Sequence, residues 1–175
     1  LYIVDYQKCL THKYNPDFEQ IAVFGGKGQG PGEFVQARKI LVAGDTLLVS
    51  DTRQWKINKL DLEGKFIVDK KYSDGQKALV DFDEFGSGFI NKFYGSSRDE
   101  SEQTFSIETI SFFDSQLNFV KFIYEYKELF DWDKVQDPSL SGSVHTVYKN
   151  DLYISVNSKT DYKIDVYDIN GIKKR

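Results

Sequence analysis

The side chains best suited to metal binding or nucleophilic chemistry are two histidines, His12 and His145, and one cysteine, Cys9. The histidines are not paired at the short spacing that a zinc site on one element needs, so we expect no metal site. Cys9 precedes His12 by three positions, and residues so spaced on a strand face opposite sides, which disfavours a cysteine–histidine pair. No Gly-x-Ser-x-Gly motif is present. The sequence therefore predicts no catalytic residue.

Acidic residues offer two further groupings. The segment 81–86, with Asp81 and Asp83, begins like a calcium loop, but Phe85 and Lys92 stand where positions 5 and 12 require oxygen ligands. A second group is spaced so that it could hold a hard cation, although loop carboxylates are more often simply solvated; it comprises Asp131, Asp133 and Asp137. With 27 acidic residues in the chain, no particular pair can be selected as general acid and base.

A glycine-rich segment between Phe24 and Phe34 resembles a phosphate-binding loop at first sight. Gly28 stands where a Walker loop needs Ser or Thr after its lysine, and the glycine spacing of the dinucleotide motif is not met. The apolar runs that follow are typical of short strands, whereas both phosphate motifs need a helix. The segment is therefore interpreted as a tight connection between two sheets, anchored by its two phenylalanines.

Composition narrows the class of protein. A net charge of −4 and a pI near 5.2 argue against a nucleic-acid partner, and the 15% aromatic content favours a β-rich fold. No apolar run approaches the about 20 residues that span a membrane, and no cofactor motif is found. The chain has no methionine and starts inside a strand-like pattern. We therefore expect a longer native chain, whose first part could carry a signal peptide or lipid anchor.

Internal repeats are the strongest signal in the chain. Residues 1–5 match 47–51, segment 56–64 recurs at 162–171, and the hairpin at 40–50 recurs at 144–156 with Asn150-Asp151 in place of its Gly-Asp turn. Units of four short strands recurring every roughly 40–60 residues are typical of β-propeller blades. The sequence predicts an all-β propeller domain, or a fragment of one, with about 3.5–4 four-stranded blades approximately at 1–24, 36–70, 78–123 and 143–175.

Two segments interrupt this pattern. Residues 124–132 give the only candidate helix, and the polar segment 95–104 is predicted to be an exposed hairpin tip.

The pattern of residues 24–34, with Ile40-x-Val42, Leu47-x-Val49-x-Asp51 and a final run at 57–66, resembles the NHL-type repeat. More narrowly, it is similar to six-bladed NHL-like propellers among bacterial secreted lipoproteins of unassigned function. The close match covers about residues 21–67. The resemblance implies six blades, more than this chain supplies, so missing blades or self-association would close the ring and cover its open edges.

The resemblance also implies where a ligand would bind, because propeller ligands commonly meet the mouth of the central channel. Arg38 and Lys39 precede an inner strand, and His145 aligns with Ile40 on such a strand. These three are the candidate ligand-binding residues, and the two cations suit an anionic glycan or a peptide carboxylate. A hydrogen-bonded structural role for His145 stays open.

By the same analogy, we expect a non-enzymatic binding or scaffold module for a protein or glycan. Its expected location is extracytoplasmic, either periplasmic or at the cell surface. The alternative is a metal-assisted hydrolase or lyase with its site in the channel.

Overall fold

The computed structural model describes residues 1–72, 77–129, 143–157 and 162–174. The chain divides into two compact units, residues 1–79 and 80–175. Within the described residues the regular structure is entirely β, so the predicted all-β fold is confirmed. No helix in this part of the chain is long and apolar enough to cross a membrane.

The first unit contains two sheets of consecutive strands. One has the order β1-β2-β3 and the other β4-β5-β6-β7. The bounds are β1 Tyr2–Asp5, β2 Leu10–Tyr14, β3 Gln20–Gly25, β4 Ala37–Ala43, β5 Thr46–Asp51, β6 Lys56–Asp61 and β7 Phe66–Lys71.

The second unit contains two more sheets, ordered β8-β9-β10-β11 and β12-β13-β14. The bounds are β8 Lys77–Phe85, β9 Gly88–Arg98, β10 Thr104–Phe113, β11 Phe119–Leu129, β12 Ser143–Tyr148, β13 Asp151–Asn157 and β14 Tyr162–Tyr167. Four small meanders of this kind are the blade-like arrangement that the repeats predict.

Five hairpin turns share one hydrogen-bonded design. In each, Oδ1 of the first residue accepts the backbone amides two and four positions later, at 2.8–3.0 Å. The residue three positions later has a left-handed backbone, which glycine adopts without steric cost. The first and left-handed residues are Asn15 and Phe18, Asp61 and Gly64, Asp99 and Glu102, Asp114 and Leu117, and Asp168 and Gly171.

A second type of turn accounts for the match between residues 1–5 and 47–51. Oδ1 of Asp5 accepts the amides of the residues two and three positions later, and Oδ1 of Asp51 does the same. Each turn then has a left-handed residue at the same place, Cys9 in one and Trp55 in the other. The strand β1 is therefore the structural counterpart of β5.

The glycine-rich segment connects the first sheet to the second, as predicted. Phe34 is fully buried in a cluster with Cys9, Ala37 and Leu47, against which Phe24 packs. The carboxylate of Glu33 folds back over the loop, where Oε2 accepts the amide of Gly30 at 2.9 Å. The glycines therefore have a structural role.

Two details differ from the predictions. The candidate helix is wrong over 124–129, because that stretch belongs to β11, which pairs along β10 and shows the alternating burial of a strand. The hairpin between β12 and β13 turns at Lys149 and Asn150, one residue earlier than expected, because both adopt the positive φ of a tight hairpin turn. The exposed tip predicted at 95–104 is confirmed at 99–103, whereas 95–98 and 104 belong to the paired strands β9 and β10.

Candidate functional site

In the first unit, Arg38 and Lys39 lie in a β-bulge at the start of β4. The β4–β5 register passes from Ala37 opposite Asp51 to Ile40 opposite Val49, so two residues of β4 oppose Ser50 alone. The buried Ser50 hydroxyl accepts the amide of Lys39 at 3.0 Å and so satisfies a donor that the bulge takes out of the ladder. Arg38 is exposed and Lys39 is half-buried. A bulge of this kind redirects side chains away from the regular pleat.

In the second unit, Asp81 and Asp83 of β8 meet His145 of β12. One ligand atom from each side chain lies within 4.8 Å of the other two. Nε2 of His145 lies 3.2 Å from Oδ2 of Asp83. The structure therefore brings His145 to two carboxylates from a distant part of the chain.

The environment of His145 is unusual. Its side chain is only 3% exposed, and Nε2 has no hydrogen-bond partner among the described residues. Nε2 nevertheless lies 3.2 Å from Oδ2 of Asp83, which makes an ion pair when the imidazole is protonated. A buried polar nitrogen without a partner is costly. A structural role for His145 stays a prediction.

The start of β12, two residues before His145, is anchored by a buried carboxylate. Oε2 of Glu108 accepts the Ser143 amide at 2.6 Å and the Ser143 hydroxyl at 2.7 Å. Lys92 lies 3.2 Å from the same carboxylate and donates to the carbonyl of Ser143. These contacts fix β12 two residues before His145 and so position the imidazole.

Asp165 of β14 is also buried, but its charge is balanced by lysines. Burial alone would raise its pKa, yet the ammonium groups of Lys173 and Lys163 outweigh burial and lower the pKa. The ion-pair distances to Oδ1 are 2.8 Å from Lys173 and 3.3 Å from Lys163. This carboxylate is therefore held as a structural ion pair.

The calcium-loop motif does not predict the place of Asp81 and Asp83 in this group. They lie on a strand, where residues two apart face the same side. That spacing was the available signal, but no local pattern could have placed His145 beside them. The spaced carboxylates at 131, 133 and 137 lie outside the described residues.

Comparison with known proteins adds a distant likeness to a solved structure. No family model and no curated protein matches the chain. Among solved structures, the chain is similar to a protein of Bacteroides fragilis NCTC 9343 that is described, only provisionally, as exported, at 12% identity and a TM-score of 0.47. The match covers 97% of this chain and 65% of the other. A likeness this distant carries no argument about function.

Proposed function

We propose that this chain is a non-enzymatic binding module of the NHL-like β-propeller type, which works outside the cytoplasm and binds a protein or a glycan. The blade-like sheets and the residue pattern at 21–67 support the propeller family. The extracytoplasmic location rests on the family resemblance, and immunodetection in fractionated cells of the source tests it. Recovery of the protein in the cytoplasmic fraction alone would refute the location.

The observation that carries the binding proposal is the bulge at Arg38 and Lys39. The bulge lies on the edge strand of a sheet and carries two long cationic side chains, while the Ser50 hydroxyl accepts the backbone amide of Lys39. Bulges are common beside functional sites because they re-aim side chains. Arginine binds carboxylates and other planar anions through two parallel hydrogen bonds. The ligand class that fits is an anionic glycan or a peptide carboxylate.

Binding to immobilised uronate-containing glycans, sulfated glycans and peptides with free C-terminal carboxylates tests this proposal. Replacing Arg38 by Ala removes a charge-assisted contact worth about 1.5–3 kcal/mol, so affinity should fall about tenfold or more. Arg98→Ala is the matched control, since Arg98 is an exposed arginine of the second unit. If no anionic ligand binds, or if the two variants bind equally well, the proposal fails.

A second candidate function is a metal-assisted hydrolase or lyase. The observation that favours it is the convergence of Asp81, Asp83 and His145. Three protein ligands leave coordination positions for water and substrate, as catalytic metal sites require. Incubating the zinc-loaded protein with carboxylic esters, phosphoesters and uronate polymers distinguishes the two functions. Turnover that disappears in Asp83→Asn supports the enzyme, whereas its absence across the panel supports the binding module.

A further inference from the structure

We infer that Asp81, Asp83 and His145 bind one divalent transition-metal ion, with zinc as the representative ion. This inference concerns the second unit and does not depend on ligand binding at Arg38. It departs from the expectation, based on histidine spacing, that the chain has no metal site. Histidine spacing predicts only those metal sites whose ligands share one element, whereas the three ligands of this site come from β8 and β12.

The distances suit a common metal ion. Zinc holds nitrogen and oxygen ligands at about 2.0–2.2 Å, so two tetrahedral ligands lie about 3.4 Å apart. Nε2 of His145 and Oδ2 of Asp83 are already 3.2 Å apart. The three ligand atoms lie within 4.8 Å of one another, and small rotations of the aspartate side chains would close the rest.

The buried imidazole supplies an independent observation. Nε2 of His145 has no hydrogen-bond partner among the described residues, although the side chain is 3% exposed and a carboxylate oxygen lies 3.2 Å away. At that separation the nitrogen and the carboxylate oxygen are close enough to be neighbours in one coordination shell. A metal ion would satisfy the buried nitrogen.

The ligand types indicate the class of metal. Calcium prefers six to eight oxygen ligands, and magnesium retains water in an octahedral shell, so neither accounts for a buried imidazole. Imidazole with carboxylates suits zinc and neighbouring transition metals. One histidine and two aspartates leave at least one position open on a tetrahedral ion. The bound ion would join the sheet of β8–β11 to the sheet of β12–β14.

Calorimetric titration of chelator-treated protein with zinc chloride tests the inference. The wild-type protein should bind one zinc ion per chain, and calcium or magnesium should bind much more weakly. His145→Gln and Asp83→Asn should each weaken zinc binding by more than about tenfold, the loss that even an indirect partner of a ligand can cause. His12→Gln and Asp45→Asn are the matched controls, because both residues are exposed or hydrogen-bonded elsewhere in the first unit.

The controls should keep wild-type affinity. The inference is overturned if the wild-type chain takes up no zinc, or if the His145 and Asp83 variants bind it as the wild type does. Should a variant fail to fold, as judged by circular dichroism, the unmodified protein still decides the matter. Zinc should shift the ring-nitrogen resonances of His145 and leave those of His12 unchanged, and the reverse pattern would refute the site.

Discussion

The imidazole Nε2 of His145 and the carboxylate Oδ2 of Asp83 lie 3.2 Å apart, although one belongs to β12 and the other to β8. β8 and β12 are edge strands of two different sheets, so backbone pairing does not bring the two residues together. The contact is made by side chains alone. Stacked repeats contact their neighbours, so side chains of successive sheets can form a polar site together.

Phe18→Gly should stabilise the protein. Phe18 is 75% exposed and occupies the left-handed position of its turn at φ 62°. Glycine removes the steric cost of that conformation, and the gain should be about 0.5–1 kcal/mol after the greater freedom of the unfolded chain is subtracted. Urea denaturation measures the change. Phe18→Ala, which keeps the Cβ atom, is the control, and equal stability of the two variants would contradict the explanation.

Gly64→Ala should destabilise the protein more than Gly44→Ala. Both glycines have positive φ, but a Cβ at Gly64 would lie 2.2 Å from the ring of Phe24, whereas a Cβ at Gly44 meets nothing within 4 Å. Gly44→Ala should cost about 1–2 kcal/mol through backbone strain alone. Overpacking against Phe24 should add about 1–3 kcal/mol at Gly64. Matching unfolding free energies for the two variants would show that the ring moves aside freely.

Asp51→Asn should cost about 2–4 kcal/mol. Asp51 is 1% exposed, and its carboxylate accepts backbone amides from the two residues before β4 and from the turn that follows β5. An amide group would turn one acceptor into a donor facing other donors, and buried unsatisfied groups carry a high cost. Asp45→Asn, in an exposed turn, should change stability by less than about 0.5 kcal/mol. A small loss at Asp51 measured by denaturation would show that the buried carboxylate is dispensable.

Tyr124 should make the protein less stable at high pH. Burial, helped by the nearby charge of Asp165, raises the pKa of Tyr124 to about 12. Above a pH of about 10 an unfolded tyrosine ionises while the folded one stays neutral, so stability should fall as pH rises from about 10 to about 12.

Ultraviolet titration of tyrosinate, with denaturation at each pH, measures both effects. Tyr124→Phe should remove one late-ionising tyrosine and flatten the fall in stability. An unchanged titration in that variant would contradict the assignment.

The all-β fold could be predicted because its signals are local. Strand alternation and turn residues recur along the chain, and the Asp-x-x-Gly turns at 61 and 168 are visible in the sequence. The equivalent turns at Asn15, Asp99 and Asp114 are hidden, because larger residues occupy the left-handed position where glycine is expected. There the side-chain hydrogen bonds, rather than glycine, specify the turn.

The candidate site could be predicted only in part. His145 was identified through the repeat alignment, but its carboxylate partners come from another sheet, and no local pattern encodes that contact. The strand at 124–129 was predicted as a helix because its mixed polar and aromatic residues fit either period. Pairing with β10 stabilises the strand, because tertiary contacts commonly outweigh local preference.

The central claim is the metal site formed by Asp81, Asp83 and His145, and anomalous X-ray diffraction at the zinc absorption edge from a zinc-loaded crystal tests it most directly. We predict one anomalous peak about 2.0–2.2 Å from Nε2 of His145 and from a carboxylate oxygen of each aspartate. A well-ordered site without a peak, or zinc bound only by other residues, would contradict the assignment.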